Sequence, residues 1–128
     1  MRNVWVASIV TLFIALIVSG CVSNDERKVS LYEMKDFSEV KEGSLRVVTD
    51  PKEIAMWHKA MKDSIQQLGI VDIINPQYKV DLGDGVYYLW SEENAGRVMN
   101  VQDSHTIRIL TEKYAKEVYL ALQSHYHN

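Results

Sequence analysis

The sequence predicts an α+β fold, in which an antiparallel sheet of about four to six strands carries two amphipathic helices on one face. Two observations predict it. Apolar residues recur at steps of three and four after Asp50 and again after Thr111, which is the spacing of a helix with one buried face. Between these segments, short runs alternate between apolar and polar residues and end at turn-forming residues, as in an antiparallel meander.

The first 21 residues have the layout of a secretory signal peptide. Arg2 gives a positive start, and an uncharged, mostly apolar run of about fifteen residues follows, which is shorter than the roughly twenty residues needed to cross a membrane. Ser19 and Gly20 then precede Cys21, the only cysteine of the chain. We therefore expect export from the cytoplasm.

Residues 18–21 (Val-Ser-Gly-Cys) resemble a bacterial lipobox. The resemblance implies that Cys21 receives a diacylglyceryl group and that residues 1–20 are removed. Two acyl chains suffice for stable anchoring, whereas one chain binds only marginally. The alternative is an uncleaved membrane anchor in which Cys21 is incidental. We expect lipidation, because the only cysteine occupies the position that the motif requires.

Removal of residues 1–20 from the 128 leaves 108, enough for one domain with a modest core. Without Arg2, the chain keeps 13 of its 14 basic residues and all 17 acidic ones, so its net charge is −4. A mildly acidic chain is a poor partner for nucleic acid. Lipidation of Cys21 would also exclude an intramolecular disulfide. We expect a polar tether over residues 21–28 and one domain over residues 29–128.

The domain is predicted to begin with two strands and a helix. A weak strand over residues 29–33 and a turn over residues 38–44 precede a strand over residues 45–49. Asp50 and Pro51 are typical of the N-cap and first position of a helix, and Glu53 completes a capping box. The predicted helix extends to about Leu68 before Gly69, with this apolar face: Ile54, Trp57, Met61, Ile65 and Leu68.

The second half is predicted to be a four-stranded meander followed by a helix. Its strands cover residues 78–82, 86–90, 97–101 and 105–110, and the second strand, apolar on both faces, is placed centrally in the sheet. Turns are predicted at residues 83–85, 91–96 and 102–104. Thr111 then caps a helix with the apolar face Tyr114, Ala115, Val118, Tyr119 and Leu122, and residues 124–128 are expected to fray.

Several segments resemble a family of small lipoproteins of uncharacterised function from Gram-positive, Bacillus-type bacteria. The segments are residues 69–72 (Gly-Ile-Val-Asp), 75–80, 88–90 (Tyr-Leu-Trp), 98–100 and 103–106 (Asp-Ser-His-Thr). The resemblance implies a lipoprotein that is held on the outer side of the cell membrane. It carries no catalytic assignment.

Residues 103–106 place an acid, a hydroxyl and an imidazole together, which raises the possibility of a hydrolase. Neighbouring residues on a strand point to opposite faces, however, and catalytic triads are assembled in space. We therefore expect Asp103 and Ser104 to form a turn and His105 to anchor the start of a strand. The chain has four histidines (His58, His105, His125 and His127) but no His-x-x-x-His pair or calcium-loop spacing. His125 and His127 would chelate a metal weakly in an extended tail, but a disordered tail that carries both by chance is the favoured interpretation, so we expect no metal and no cofactor.

The aromatic residues predict a binding surface. On the central strand, Tyr88 and Trp90 share one face, and Tyr87 and Leu89 share the other. If the helices cover only one face, some of these rings meet water and can bind a ligand. Alternatively, both faces are covered. The candidate surface comprises Asp72, Tyr78, Tyr88, Trp90 and His105.

Together, these features predict a lipid-anchored, non-enzymatic module of the cell envelope that binds a protein, a peptide or a small ligand. One alternative is an envelope hydrolase or metal-dependent enzyme that uses His105 with Asp103 or Asp72. A further alternative is a regulator that folds against a membrane protein.

Overall fold

A computed structural model of the chain describes residues 28–68 and 73–127. Within these residues, seven strands form one antiparallel sheet and two helices pack against one of its faces. The predicted α+β class is confirmed, with one strand more than the upper end of the predicted range.

The strands occur in the sheet in the order β2-β1-β4-β5-β6-β7-β3. Their bounds are β1 Val29–Glu33, β2 Arg46–Val48, β3 Ile65–Gln66, β4 Tyr78–Asp81, β5 Val86–Glu92, β6 Ala95–Asn100 and β7 Ile107–Ile109. The helices are α1 Pro51–Lys62 and α2 Glu112–Tyr126. Strand β5 is central, as its apolar sequence predicts.

Helix α1 begins as predicted and ends earlier. The Asp50 carboxylate accepts a hydrogen bond from the backbone N–H of Glu53 at 3.2 Å and so caps the first turn. The predicted end at Leu68 is wrong, because the helix stops at Lys62 and Ile65 enters β3. Pairing of β3 with β7 at the edge of the sheet outweighs the helical spacing of the apolar residues.

Ser64 fixes the position where the chain leaves α1. Its hydroxyl donates a hydrogen bond to the carbonyl of Met61. The same hydroxyl accepts a hydrogen bond from Nε of Arg108 at 2.8 Å. The Arg108 guanidinium also donates to the Ser64 carbonyl. Strand β7 therefore holds the end of α1, although 44 residues separate Ser64 from Arg108.

The β5–β6 hairpin is tighter than the sequence predicts. Residues 91–96 are not all loop, because Glu92 pairs with Ala95 and leaves only Glu93 and Asn94 in the turn. Gly96 sits inside β6 for a steric reason. A Cβ atom added there would lie 2.8 Å from Cδ1 of Leu110, which packs over the strand at this point.

The core fills the space between the helices and one face of the sheet. Its buried side chains come from both helices and from the strands: Val29, Leu31, Val48, Ile54, Trp57, Ala60, Met61, Tyr78, Val80, Leu82, Leu89, Val98, Leu110, Ala115, Val118 and Leu122. The predicted inward face of α1 is therefore confirmed as far as Met61. That of α2 is confirmed for Tyr114, Ala115, Val118 and Leu122, whereas Tyr119 is half-buried and does not belong to the core.

The end of α2 is held in place, so the predicted fraying from residue 124 is wrong as far as Tyr126. Nε2 of His125 lies 2.8 Å from Oε2 of Glu53, and the same oxygen accepts the indole N–H of Trp57 at 3.0 Å. The Tyr126 hydroxyl donates to the carbonyl of Ser44 at 2.7 Å. These contacts join the last turn of the chain to α1 and to the segment before β2.

No helix within residues 28–68 and 73–127 is long and apolar enough to cross a membrane. The predicted signal peptide and Cys21 lie outside the described residues.

The division between core and surface can be tested with a matched pair of leucines. Leu89→Ala removes a fully buried side chain from the central strand and should lower the free energy of unfolding by about 2–5 kcal/mol. Leu120→Ala, on the outer side of α2 where the side chain is 56% exposed, should change it by less than about 0.5 kcal/mol. Urea unfolding measures both, and equal losses would contradict this packing.

The contact of Tyr126 predicts an alkaline loss of stability. Burial raises the pKa of the Tyr126 hydroxyl and Glu33 raises it further, whereas Arg46 opposes this. Because the folded-state pKa lies above the ordinary value of about 10, the contribution is present below pH 10 and is lost as the pH rises further.

At pH 8, Tyr126→Phe should be less stable than the wild type by about 0.5–1.5 kcal/mol, because the hydrogen bond to Ser44 is lost. Between pH 10 and pH 11 the difference should shrink, as measured by urea unfolding at each pH. Parallel stability curves for the two proteins would contradict the assignment.

Candidate functional site

The sheet face opposite the helices, here called the open face, carries a row of mainly aromatic and apolar side chains. Strand register places Tyr32, Lys79, Tyr88, Met99 and Ile107 side by side across β1, β4, β5, β6 and β7. A cation lies within this row, since Nζ of Lys79 is 4.9 Å from the centre of the Tyr32 ring.

A second row crosses the open face nearer to the β5–β6 turn. It runs across β5, β6, β7 and β3, and its neighbouring residues are cross-strand pairs. In order towards the edge of the sheet they are Trp90, Arg97, Ile109 and Ile65. The indole and the guanidinium are therefore direct neighbours on adjacent strands.

One loop covers the middle of the open face. The ring of Phe37 meets the ring of Tyr88 edge to face with centroids 5.4 Å apart, and it lies 6.2 Å from the Trp90 ring. The Tyr88 hydroxyl donates to the carbonyl of Phe37 at 2.7 Å. The aromatic face is thus partly covered by residues of the same chain, an arrangement between the two predicted alternatives.

The loop that carries Phe37 is fixed by Asp36. Oδ1 of Asp36 accepts the backbone N–H groups of Ser38 at 2.8 Å and Glu39 at 2.9 Å, as well as the Ser38 hydroxyl at 3.0 Å. These bonds, above all the one from the Ser38 backbone, lower the pKa of the Asp36 carboxyl. The carboxylate form therefore shapes the turn that places Phe37.

A second segment, residues 73–77, crosses the open face beside Trp90. The indole N–H of Trp90 donates to the carbonyls of Ile74 at 3.1 Å and Asn75 at 3.2 Å. The backbone N–H of Ser91 donates to Oε1 of Gln77 at 2.6 Å, and the backbone N–H of Gln77 donates to the carbonyl of Leu89 at 3.2 Å. Side-chain and backbone bonds together hold the segment along β5.

Between this segment and the β5–β6 hairpin lies a cavity of about 350 Å³. This volume is within the range of about 300–1,000 Å³ that is usual for small-molecule sites. The lining residues come from the crossing segment, the hairpin and β7: Ile73, Ile74, Gln77, Trp90, Ser91, Glu92, Ala95, Gly96, Arg97 and Ile107.

The cavity lining is mainly apolar and includes two charged residues. Ile73, Ile74 and Ile107 contribute branched aliphatic surface, and Glu92 and Arg97 are exposed. Among the described residues, neither Glu92 nor Arg97 has an ion-pair partner within 4.0 Å. Within the described residues, both charged side chains line the cavity and are exposed to solvent.

Of the predicted surface residues that the structure describes, it brings only Tyr88 and Trp90 together. Both rings contact Phe37 on the open face, and Trp90 also lines the cavity. Tyr78 belongs to the core on the opposite face, where it is 9% exposed and its ring lies 5.6 Å from that of Tyr126. The alternation of side chains along β4 causes this difference, because Tyr78 and Val80 point towards the helices. Asp72 and Cys21 lie outside the described residues.

His105 lies in the turn between β6 and β7, so the prediction that it starts a strand is wrong. Asp103, Ser104 and His105 are all exposed, and no side-chain hydrogen bond joins them within the described turn of residues 101–106. The turn is closed by the backbone N–H of Thr106, which donates to the carbonyl of Asp103 at 3.4 Å. The arrangement has no catalytic geometry.

Sequence reasoning missed Phe37, Gln77, Glu92 and Arg97 as parts of the site. If the sequence analysis had predicted a two-residue turn at residues 93–94, it would have placed Arg97 opposite Trp90. Gly96 suggested a longer loop instead. Phe37 and Tyr88 are 51 residues apart in the chain, and no local sequence pattern indicates their contact.

The described ranges contain no group of three or more His, Cys, Asp or Glu side chains that could hold a metal ion.

Comparison with family models, with curated proteins and with solved structures gives no match to this chain.

The aromatic side chains that bind the two covering segments can be tested separately by mutation. Trp90→Phe removes the indole N–H, so digestion with proteinase K should cut within residues 73–77 faster than in the wild type. Tyr88→Phe removes the hydroxyl that binds the Phe37 carbonyl and should instead speed cleavage within residues 36–39. Mass spectrometry identifies the cuts. Acceleration of the same cuts by both variants would contradict separate roles.

Proposed function

We propose that this chain is a lipid-anchored protein of the bacterial cell envelope that faces outside the cytoplasm and binds a small ligand in the cavity beside Trp90. The observation that carries the binding proposal is the cavity of about 350 Å³, bounded by a segment that hydrogen bonds hold along β5. Its mainly apolar lining, with the exposed charged residues Glu92 and Arg97, matches the usual composition of a ligand site.

Lipid anchoring is supported by the lipobox-like residues 18–21 and by the single cysteine at position 21. Cys21 precedes Val29, the first residue of β1, by eight positions. Such a tether reaches roughly 30 Å when fully extended. The folded domain would therefore stay close to the membrane surface.

The topology supports access to the cavity from the side away from the membrane. Val29 pairs with Val48 at the end of the sheet that also holds the β4–β5 turn. The cavity lies at the other end, beside the Glu92 and Ala95 pair that closes the next turn. With the tether attached at one end of the sheet, the cavity opens near the opposite end.

The enzyme alternative draws no support from the geometry. His105 and Asp103 are exposed in the β6–β7 turn and do not line the cavity. We therefore propose a binding protein rather than a hydrolase, with membrane attachment through the diacylglyceryl group and with an envelope molecule as its ligand.

Anchoring can be tested by labelling cells with radioactive palmitate. The wild-type protein should carry the label and sediment with membranes, whereas Cys21→Ser should lose the label and keep an uncut signal peptide. An unlabelled wild-type protein, or unchanged processing and fractionation of Cys21→Ser, would refute the proposal.

Ligand binding can be tested by filling the cavity. Ala95 is exposed at its rim, so Ala95→Trp should occlude it, while Leu120→Trp places the same side chain on the outer surface of α2. A thermal-shift screen of small metabolites should give ligands that stabilise the wild type and Leu120→Trp but not Ala95→Trp. Ligands that stabilise all three proteins equally would argue against this cavity.

A further inference from the structure

Two opposite charges flank the cavity on neighbouring strands. Strand register pairs Glu92 with Ala95 and Trp90 with Arg97, so Glu92 and Arg97 are diagonal neighbours on the open face. Diagonal neighbours lie roughly 7–8 Å apart, with their Cβ atoms somewhat closer. No ion pair within 4.0 Å joins them to each other or to another residue of the described ranges. A molecule with one positive and one negative group fits between them.

Three other polar side chains line the cavity. The Ser91 hydroxyl is buried without a hydrogen-bond partner in the described part of the chain, whereas Trp90 and Gln77 already have partners that limit what they can bind. The indole N–H of Trp90 is already bonded to the carbonyls of Ile74 and Asn75, so the ring offers carbon surface to a ligand. Oε1 of Gln77 accepts the Ser91 N–H, which leaves the amide NH₂ of Gln77 as a donor beside the cavity.

The rest of the cavity lining is mainly aliphatic. Ile73, Ile74 and Ile107 line it, and Ile107 is buried on the open face. A branched apolar side chain would gain contact area with these residues, at about 25 cal/mol for each Å² removed from water.

This set of groups disfavours two ligand classes. A phosphate or an anionic lipid headgroup would meet one cation, Arg97, with the Glu92 carboxylate close by. A sugar would require many hydrogen-bonding partners for its hydroxyl groups, whereas most of the interior is apolar.

We infer that the ligand is a small zwitterion with an apolar side chain, that is, an apolar amino acid or a dipeptide of such residues. Arg97 and the Gln77 amide bind its carboxylate, Glu92 binds its ammonium group, and Trp90 and the isoleucines contact its side chain. The inference rests on the proposed function and specifies the ligand of the same cavity.

Isothermal titration of the purified full chain in detergent tests the inference with four probes. Leucine and leucyl-leucine carry both charges, leucinamide lacks the carboxylate, and N-acetylleucine lacks the ammonium group. The wild type should bind leucine or leucyl-leucine at least about tenfold more tightly than either blocked probe, since a hydrogen bond to a charged group is worth about that factor. Glycine, which lacks the side chain, should not bind.

The variants assign each charge to its partner. Arg97→Met should lose most of the preference for leucine over leucinamide, because the charged partner of the carboxylate is gone and only the neutral Gln77 amide remains. Glu92→Gln should bind leucine and N-acetylleucine equally. Lys116→Met and Glu117→Gln remove the same charges from the exposed side of α2 and should leave all affinities unchanged.

The outcomes separate the two proposals. If no zwitterion binds, but another compound stabilises the wild type and not Ala95→Trp, the cavity binds a ligand of a different class and this inference fails alone. If no compound distinguishes Ala95→Trp from the wild type, the proposed function fails with it. Leucine binding that is insensitive to both Arg97→Met and Glu92→Gln would overturn the charge assignment.

Discussion

The structure depends on the alternation of side chains along β5. Leu89 points towards the helices and is fully buried in the core, whereas Tyr88 and Trp90 point to the open face. A shift in register by one residue would exchange these environments, burying the indole among the helices and exposing the leucine. The same strand register therefore sets both the hydrophobic core and the site.

The cavity exists because the open face is only partly covered. Phe37 packs on Tyr88, and residues 73–77 run beside Trp90, each held by a hydrogen bond from an aromatic side chain to a backbone carbonyl. These bonds satisfy the polar ends of rings whose remaining atoms are apolar. The space between the second segment and the β5–β6 hairpin has both an apolar interior and a charged rim.

Local signals in the sequence predicted the class of fold and most of its elements. The Asp50 cap, the spacing after it and the alternation from Tyr78 to Trp90 each depend on residues close in the chain, so they could be interpreted without coordinates. Ile65 continued the helical spacing but joined β3, because pairing with β7 decides its conformation. The site depends on contacts such as Trp90 to Ile74, which join segments that no periodicity relates.

The central claim is that a ligand occupies the cavity beside Trp90, and the indole N–H resonance of that residue tests it most directly. In NMR spectra of the ¹⁵N-labelled full chain, the indole signals are assigned with Trp57→Phe and Trp90→Phe. Addition of the compound that stabilises the wild type most strongly in the thermal-shift screen should shift the Trp90 signal and leave that of Trp57, which is bonded to Glu53, in place. A shift of the Trp57 signal alone, or of neither signal, would contradict the account.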